Sequence, residues 1–179
     1  MLHALVPADN DTAFPSGAFY ISDGNALFHS LTNLPPTMGG ICKQVLSIMV
    51  EKGDFLFSTD SYHGPLDSVK TSERVRRGVS QRYIIEGPAT KRPPDLKLFL
   101  SGDENKEQLS ELALKVWGSP ECAIKLGKVK HALLVVNGKT YEFAASENKV
   151  SRIFVSRYNF YIFSLSSVDL FKINSGSLA

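Results

Sequence analysis

Two short apolar segments, each ending at an aspartate, constrain the fold of this chain more than any other feature. Residues 18–22 (AFYIS) lead into Asp23, and residues 55–59 (FLFST) lead into Asp60. Both segments are rich in aromatic and β-branched residues, and turn-forming residues bound the first of them, which is typical of buried strands. The first segment is expected to be a central strand of its sheet.

A helix is predicted between these two strands. Its apolar residues lie at the spacing of one helix face, and Gly53 marks its end. The order strand, helix, strand predicts two parallel strands joined by a right-handed crossover. The residues of the predicted apolar face are Ile41, Val45, Ile48 and Met49.

The two aspartates are candidate metal ligands. The carboxyl ends of parallel strands meet at the same edge of a sheet, where ligands bind in open α/β folds, so Asp23 and Asp60 are expected there together. Carboxylate oxygens are the ligands that Mg²⁺ prefers. On spacing alone a structural interpretation is favoured, in which Asp23 caps a turn, because Asp23-Gly24-Asn25 is turn-prone, and Asp60 caps the end of its strand.

A basic segment follows Asp60 after the Gly64-Pro65 turn. Its placement favours contacts with the phosphates of a nucleic acid that lies over the metal site. The alternative is a solvated helix face, which is the usual role of a run of charges. The candidate phosphate-binding residues are Lys70, Arg74, Arg76 and Arg77.

The second half of the chain carries a helix and a hairpin. Ser101 and Glu104 have the spacing of a capping box, and an apolar stripe runs from Leu109 to Trp117. Two β-rich runs flank Asn137-Gly138, which predicts an antiparallel β-hairpin with a type I′ turn near residues 131–145. Residues 83–85 are expected to be a short strand or another extended piece.

Composition narrows the class of protein. The chain has 179 residues, 43% of them hydrophobic, and a formal net charge of +2, so a basic surface must be local. Cys42 and Cys122 lack metal-ligand spacing and are predicted to be reduced core thiols. The first residues do not resemble a secretion signal, and charges interrupt the aromatic C-terminal stretch well below the ~20 apolar residues of a membrane helix. An intracellular protein, nuclear or cytoplasmic, is expected, with no membrane contact.

The residues from Ile21 to Gly78 carry a family resemblance. The stretches ISDGNALFHSL and FLFSTDSYHGPLDSVKTSERVRRG resemble the opening of the PIN-like fold of flap endonucleases and related 5′ nucleases. The sequence to about residue 150 also looks like that of uncharacterised invertebrate proteins that carry such a domain. The resemblance implies that Asp23 and Asp60 are catalytic Mg²⁺ ligands, with Mn²⁺ as an alternative ion, and that the basic segment holds DNA or RNA.

The chain departs from that family after residue 149. Nucleases of this family complete the metal site with further acidic residues downstream, whereas here an aromatic-rich stretch follows, in which Asp169 is the one acid. We therefore expect a version of a longer nuclease-like protein that is truncated or that ends differently. The predicted organisation is a loose lead-in (1–17), an incomplete PIN-like α/β domain (18–150) and an atypical C-terminal tail (151–179).

Together these observations predict an α/β fold, a PIN-like three-layer sandwich with a mainly parallel central sheet and a hairpin at its edge. The function expected from the resemblance is metal-dependent cleavage of nucleic-acid phosphodiesters, with activity that is absent if the metal site stays incomplete. The alternative is a non-catalytic module that binds nucleic acid or another protein.

Overall fold

The computed structural model describes residues 19–59, 82–147 and 149–155, and these form a mixed sheet with a layer of helices. The strands are β1 (Tyr20–Asp23), β2 (Phe55–Ser58), β3 (Ala132–Val136), β4 (Lys139–Ser146) and β5 (Lys149–Val155). The helices are α1 (Gly24–Ser30), α2 (Met38–Glu51), α3 (Leu96–Leu100), α4 (Asp103–Trp117), a 3₁₀ turn (Pro120–Cys122) and α5 (Ala123–Leu126).

The five strands lie in the order β1-β2-β3-β4-β5. β1, β2 and β3 are parallel, and β4 and β5 continue the sheet in antiparallel pairs. The parallel pairing predicted for the two aspartate-ended strands is therefore confirmed. The prediction of a central first strand is wrong within the described residues, because β1 lies at the end of this order and Ile21 is 69% exposed. The strand with a parallel neighbour on both sides is β2.

Helix α2 forms for the reasons that its sequence suggests. The Thr37 hydroxyl caps its N-terminus by accepting a hydrogen bond from the Gly40 N–H at 3.1 Å. Gly53, one residue beyond the C-cap, has a φ of 100°, a conformation that favours glycine. The apolar face points to the core, and its fully buried members include Ile41, Val45 and Met49.

Helix α4 covers the stripe predicted between Leu109 and Trp117, but the predicted capping box is wrong. The N-cap residue is Gly102, which has no side chain to offer, and the helix begins at Asp103. The Ser101 hydroxyl instead donates to the Leu98 carbonyl at 2.7 Å. Ser101 is the C-cap of helix α3 and has helical φ and ψ angles of −71° and −21°, whereas an N-cap residue has a non-helical backbone conformation.

All of these helices contribute to a core on one face of the sheet. Trp117 is fully buried at its centre, with ring centroids 5.6–5.9 Å from Phe55, Phe57 and Phe143. The Trp117 indole also donates to the Cys42 carbonyl at 2.9 Å, which ties α4 to α2. The register places Phe55 beside Ala132 and Phe57 beside Leu134, so alternate residues of each strand form this face.

The hairpin between β3 and β4 matches its prediction. Asn137 and Gly138 have φ values of 51° and 71°, as a type I′ turn requires. β5 then extends the sheet to Val155, past the residue at which the sequence suggested a domain boundary. Residues 83–85 form no regular element and are held against α4. No helix in the described part of the chain has the length and apolar character that would let it cross a membrane.

Candidate functional site

In a fold of this kind, a ligand-binding site is expected at the carboxyl edge of the three parallel strands. Asp23 ends β1 and pairs in register with Ser58, which in turn pairs with Val135 of β3. Thr59 follows β2 and is buried, and both its N–H and its hydroxyl donate to the Val135 carbonyl, at 3.1 and 2.8 Å. The end of β2 is therefore fixed to β3 at the residue immediately before Asp60.

Asp23 is exposed at this edge and caps helix α1. Its Oδ1 atom accepts hydrogen bonds from the Asn25 and Ala26 N–H groups, at 2.9 and 3.2 Å. The structural interpretation of Asp23 is thus confirmed as a helix N-cap. Both bonds use the same oxygen, and Oδ2 accepts no hydrogen bond from the residues that the structure describes.

Gly24 sets how closely α1 approaches the end of β2. A Cβ atom at this position would lie 2.9 Å from the Phe57 ring, the Ser58 carbonyl oxygen and the Thr59 methyl group. Only a residue without a side chain allows this contact, and it holds Asp23 beside the carboxyl end of the neighbouring strand.

The other predicted site residues fall outside the described parts of the chain. These are Asp60, Lys70, Arg74, Arg76 and Arg77, so the structure does not bring them together with Asp23 or separate them from it. Among residues 19–59, 82–147 and 149–155, there is no group of three or more histidine, cysteine or acidic side chains that could hold a metal ion.

An acidic side chain near the same edge was not identified from the sequence. Glu111 of α4 accepts a hydrogen bond from the Asn137 side chain at 3.3 Å, and Asn137 directly follows β3. β3 is two strands from β1, or about 10 Å at the usual strand spacing. Glu111 and Asp23 therefore do not form a joint site by themselves, and a helical glutamate among other charged residues gave no sequence signal.

Arg92, which lies in the connector before α3, has a structural role. The Arg92 guanidinium donates to the carbonyl oxygens of Pro35, Pro93 and Pro94 at 3.1–3.3 Å. Its backbone N–H donates to Pro36, which ties this connector to the loop before α2.

Histidines and cysteines add no metal centre in the described part. His29 is exposed and lines a cavity of about 360 Å³ between α1 and α3, with an apolar floor that includes Phe28, Leu96 and Leu100. His131 Nδ1 and Glu142 Oε1 lie 2.9 Å apart at the opposite, amino edge of the parallel strands, a pair that the sequence did not reveal.

The two cysteines are buried free thiols, as predicted. Burial is the main reason that the pKa of each thiol lies above its usual value. Because the thiolate is the form that binds metals and attacks electrophiles, Cys42 and Cys122 are packing residues at neutral pH.

Comparison with models of known protein families, with curated protein sequences and with solved structures gave no match.

Proposed function

We propose that this chain is a PIN-like domain that acts on nucleic-acid phosphodiesters with the help of Mg²⁺. Asp23 and Asp60 are the proposed metal ligands, and Lys70, Arg74, Arg76 and Arg77 the proposed phosphate contacts. The observation that supports this most is the position of Asp23 at the carboxyl end of β1, beside a parallel strand that leads directly into Asp60.

A Mg²⁺ site of this kind needs few carboxylate ligands. Mg²⁺ is usually held in such sites by one or two carboxylates and keeps several waters, one of which can become the nucleophile near neutral pH. Asp23 can take part while it caps α1, since its hydrogen bonds use Oδ1 alone among the described contacts. A second ligand from the end of β2 is required, because a single exposed carboxylate binds Mg²⁺ weakly.

The second candidate is a non-catalytic module that binds nucleic acid through the same basic segment. The helix cap that Asp23 provides to α1 favours this second candidate, because capping gives the aspartate a structural role that needs no metal. The two candidates differ in whether the charge of Asp23 matters or only its hydrogen-bonding oxygen.

Asp23→Asn separates the candidates, because asparagine caps helices about as well as aspartate but supplies no negative oxygen for Mg²⁺. The assay is cleavage of a labelled single-stranded or flap substrate in Mg²⁺, with EDTA as the blank. For a nuclease, Asp23→Asn and Asp60→Asn each lower the rate at least about 100-fold, since ligand loss typically removes several kcal/mol of transition-state stabilisation.

Asp54→Asn is the matched control for this experiment. Asp54 lies at the amino edge of the same strands, where its Oδ1 accepts from the Lys130 and His131 N–H groups at 2.7 and 3.1 Å. An amide oxygen can accept the same bonds, so cleavage should be unchanged. Wild-type protein that cuts no faster than Asp23→Asn, yet still binds the substrate, would exclude the nuclease and leave the binding module.

Nucleic-acid binding is tested by measuring how the binding constant K depends on salt concentration. Removing two phosphate contacts with Arg76→Ala and Arg77→Ala should lower the slope of log K against log salt by about 1.4 for a single strand. The matched control removes two exposed lysines at the amino edge, Lys128→Ala and Lys130→Ala, and should leave the slope as it is. Equal slopes in all three proteins would contradict a role for the basic segment.

A further inference from the structure

Strand β5 has a long outer edge that no strand among residues 19–59, 82–147 and 149–155 covers. Its seven residues, Lys149–Val155, pair with β4 without a break in register, and no other strand of the described part of the chain pairs with it. In an antiparallel strand, about half of the backbone N–H and C=O groups point to the outer edge. The outer edge of β5 is therefore a template for one more strand.

The usual features that protect a sheet edge are mostly missing from β5. It contains neither proline nor a bulge, and its continuous pairing keeps it regular. Ile153 and Phe154 point to opposite faces of the sheet, and each is 57% exposed. An added strand could cover apolar surface on both faces at once.

The charge of the edge selects the kind of partner. Lys149 and Arg152 are positive, and the strand contains no acidic residue. The Arg152 guanidinium lies over the Tyr141 ring, 5.5 Å from its centroid, which holds one charge beside the exposed Phe154 ring. Pairing with β5 of a second copy would bring like charges together, and like charges across an interface are unfavourable.

We propose that β5 binds an extended, acidic peptide segment of another protein by strand addition. The backbone groups of the peptide complete the ladder, its apolar residues cover Ile153 and Phe154, and its acidic residues pair with Lys149 and Arg152. Neither Asp23 nor a metal ion takes part, so this interaction is independent of the proposed nuclease chemistry and is tested separately from it.

The probe is an end-capped, fluorescent eight-residue peptide with two copies of the repeat Glu-Glu-Val-Val, which places glutamate and valine on both faces of a strand. It is added to the full chain, and binding is followed by fluorescence anisotropy. In two control peptides, lysine replaces glutamate or every backbone nitrogen carries an N-methyl group, which removes the N–H donors of both edges. Both controls should bind at least about tenfold more weakly, because one meets like charges and the other cannot complete the ladder. Hydrogen exchange should show new protection of residues 149–155.

Arg152→Glu should lower the affinity for the glutamate peptide about five- to tenfold and raise the affinity for the lysine peptide. Lys149→Glu, which changes the other cation, should have the same effect. Lys139→Glu is the control, since this exposed β4 residue lies beyond the paired segment and changes the net charge equally.

Failure of the glutamate peptide to bind, equal binding of either control peptide, or protection outside β5 would each overturn the proposal. It is equally overturned if an eight-nucleotide thymidine strand displaces the peptide from β5, or if β5 is protected in a concentration-dependent dimer without peptide.

Discussion

Gly24→Ala is the substitution that most directly tests the geometry of the carboxyl edge. The added methyl group would lie 2.9 Å from three atoms, closer than side-chain contacts in proteins normally come. One of these atoms is the Ser58 carbonyl oxygen, a backbone atom of β2 that cannot rotate away. Another belongs to the Phe57 ring, which already packs against Phe28 and Trp117 with centroids 5.5 and 5.6 Å away.

The cost follows from two opposing effects. Overpacking of a buried position typically costs about 1–3 kcal/mol. Alanine recovers at most about 1 kcal/mol through its better helix propensity, and less at the first helical residue. We expect the free energy of unfolding to fall by about 1–2 kcal/mol, which for a domain of this size lowers the melting temperature by about 2–8 °C.

Urea denaturation followed by far-ultraviolet circular dichroism measures this change as a lower midpoint at unchanged slope. Gly118→Ala is the matched control, because Gly118 lies at the end of a helix and has a φ of −74°, and a Cβ atom there would have its nearest neighbour at an ordinary 3.5 Å. It should be neutral or slightly stabilising. A Gly24→Ala protein as stable as wild type would refute the close packing of α1 on β2 and, with it, the placement of Asp23.

Three further predictions concern the core and the opposite edge. Trp117→Phe should cost about 1–3 kcal/mol in urea denaturation, because it removes the bond to the Cys42 carbonyl and part of a buried ring, and a cost below about 0.5 kcal/mol would contradict the central place of this side chain. Asp54→Ala should cost about 1–2 kcal/mol and Asp54→Asn much less, since only alanine removes the acceptor for Lys130 and His131; equal losses would count against that role. Burial raises the pKa of Cys42 and Cys122, so only the unfolded state releases these protons above about pH 8.5, and the free energy of unfolding should fall as pH rises through that value. The same measurement on Cys122→Ala should show a weaker fall, and an unchanged one would rule out this thiol as a cause.

Patterns within one element were predictable from the sequence. The apolar spacing of α2 and α4 and the Asn137-Gly138 turn depend on residues close together in the chain, so their local chemistry is enough to identify them. The β1-β2 pairing followed as well, because a helix between two strands nearly always joins parallel neighbours.

Contacts between distant segments were not predictable in the same way. Residues 83–85 lie against α4 because two of its side chains hold them. Asn105 accepts from the Tyr83 N–H, and Gln108 both accepts from the Ile85 N–H and donates to the Tyr83 carbonyl, at 2.8–3.0 Å. Neither side chain has a sequence signature for this task. The capping box was wrongly predicted for a related reason, because the unpredicted helix α3 ends at Ser101.

The position of Asp23 could be predicted from the sequence, but its role in a metal site could not. The sequence gives its place at the end of a strand and its tendency to cap a turn, and both are confirmed. The positive end of the α1 dipole lies at the same carboxylate, and it favours anions and opposes cations. Asp23 alone is therefore a better helix cap than a metal ligand, and any affinity for Mg²⁺ at this edge must come largely from a second acid. That makes Asp60 the residue on which the choice between a nuclease and a binding module depends, because Asp23 has a sufficient reason to exist in either protein.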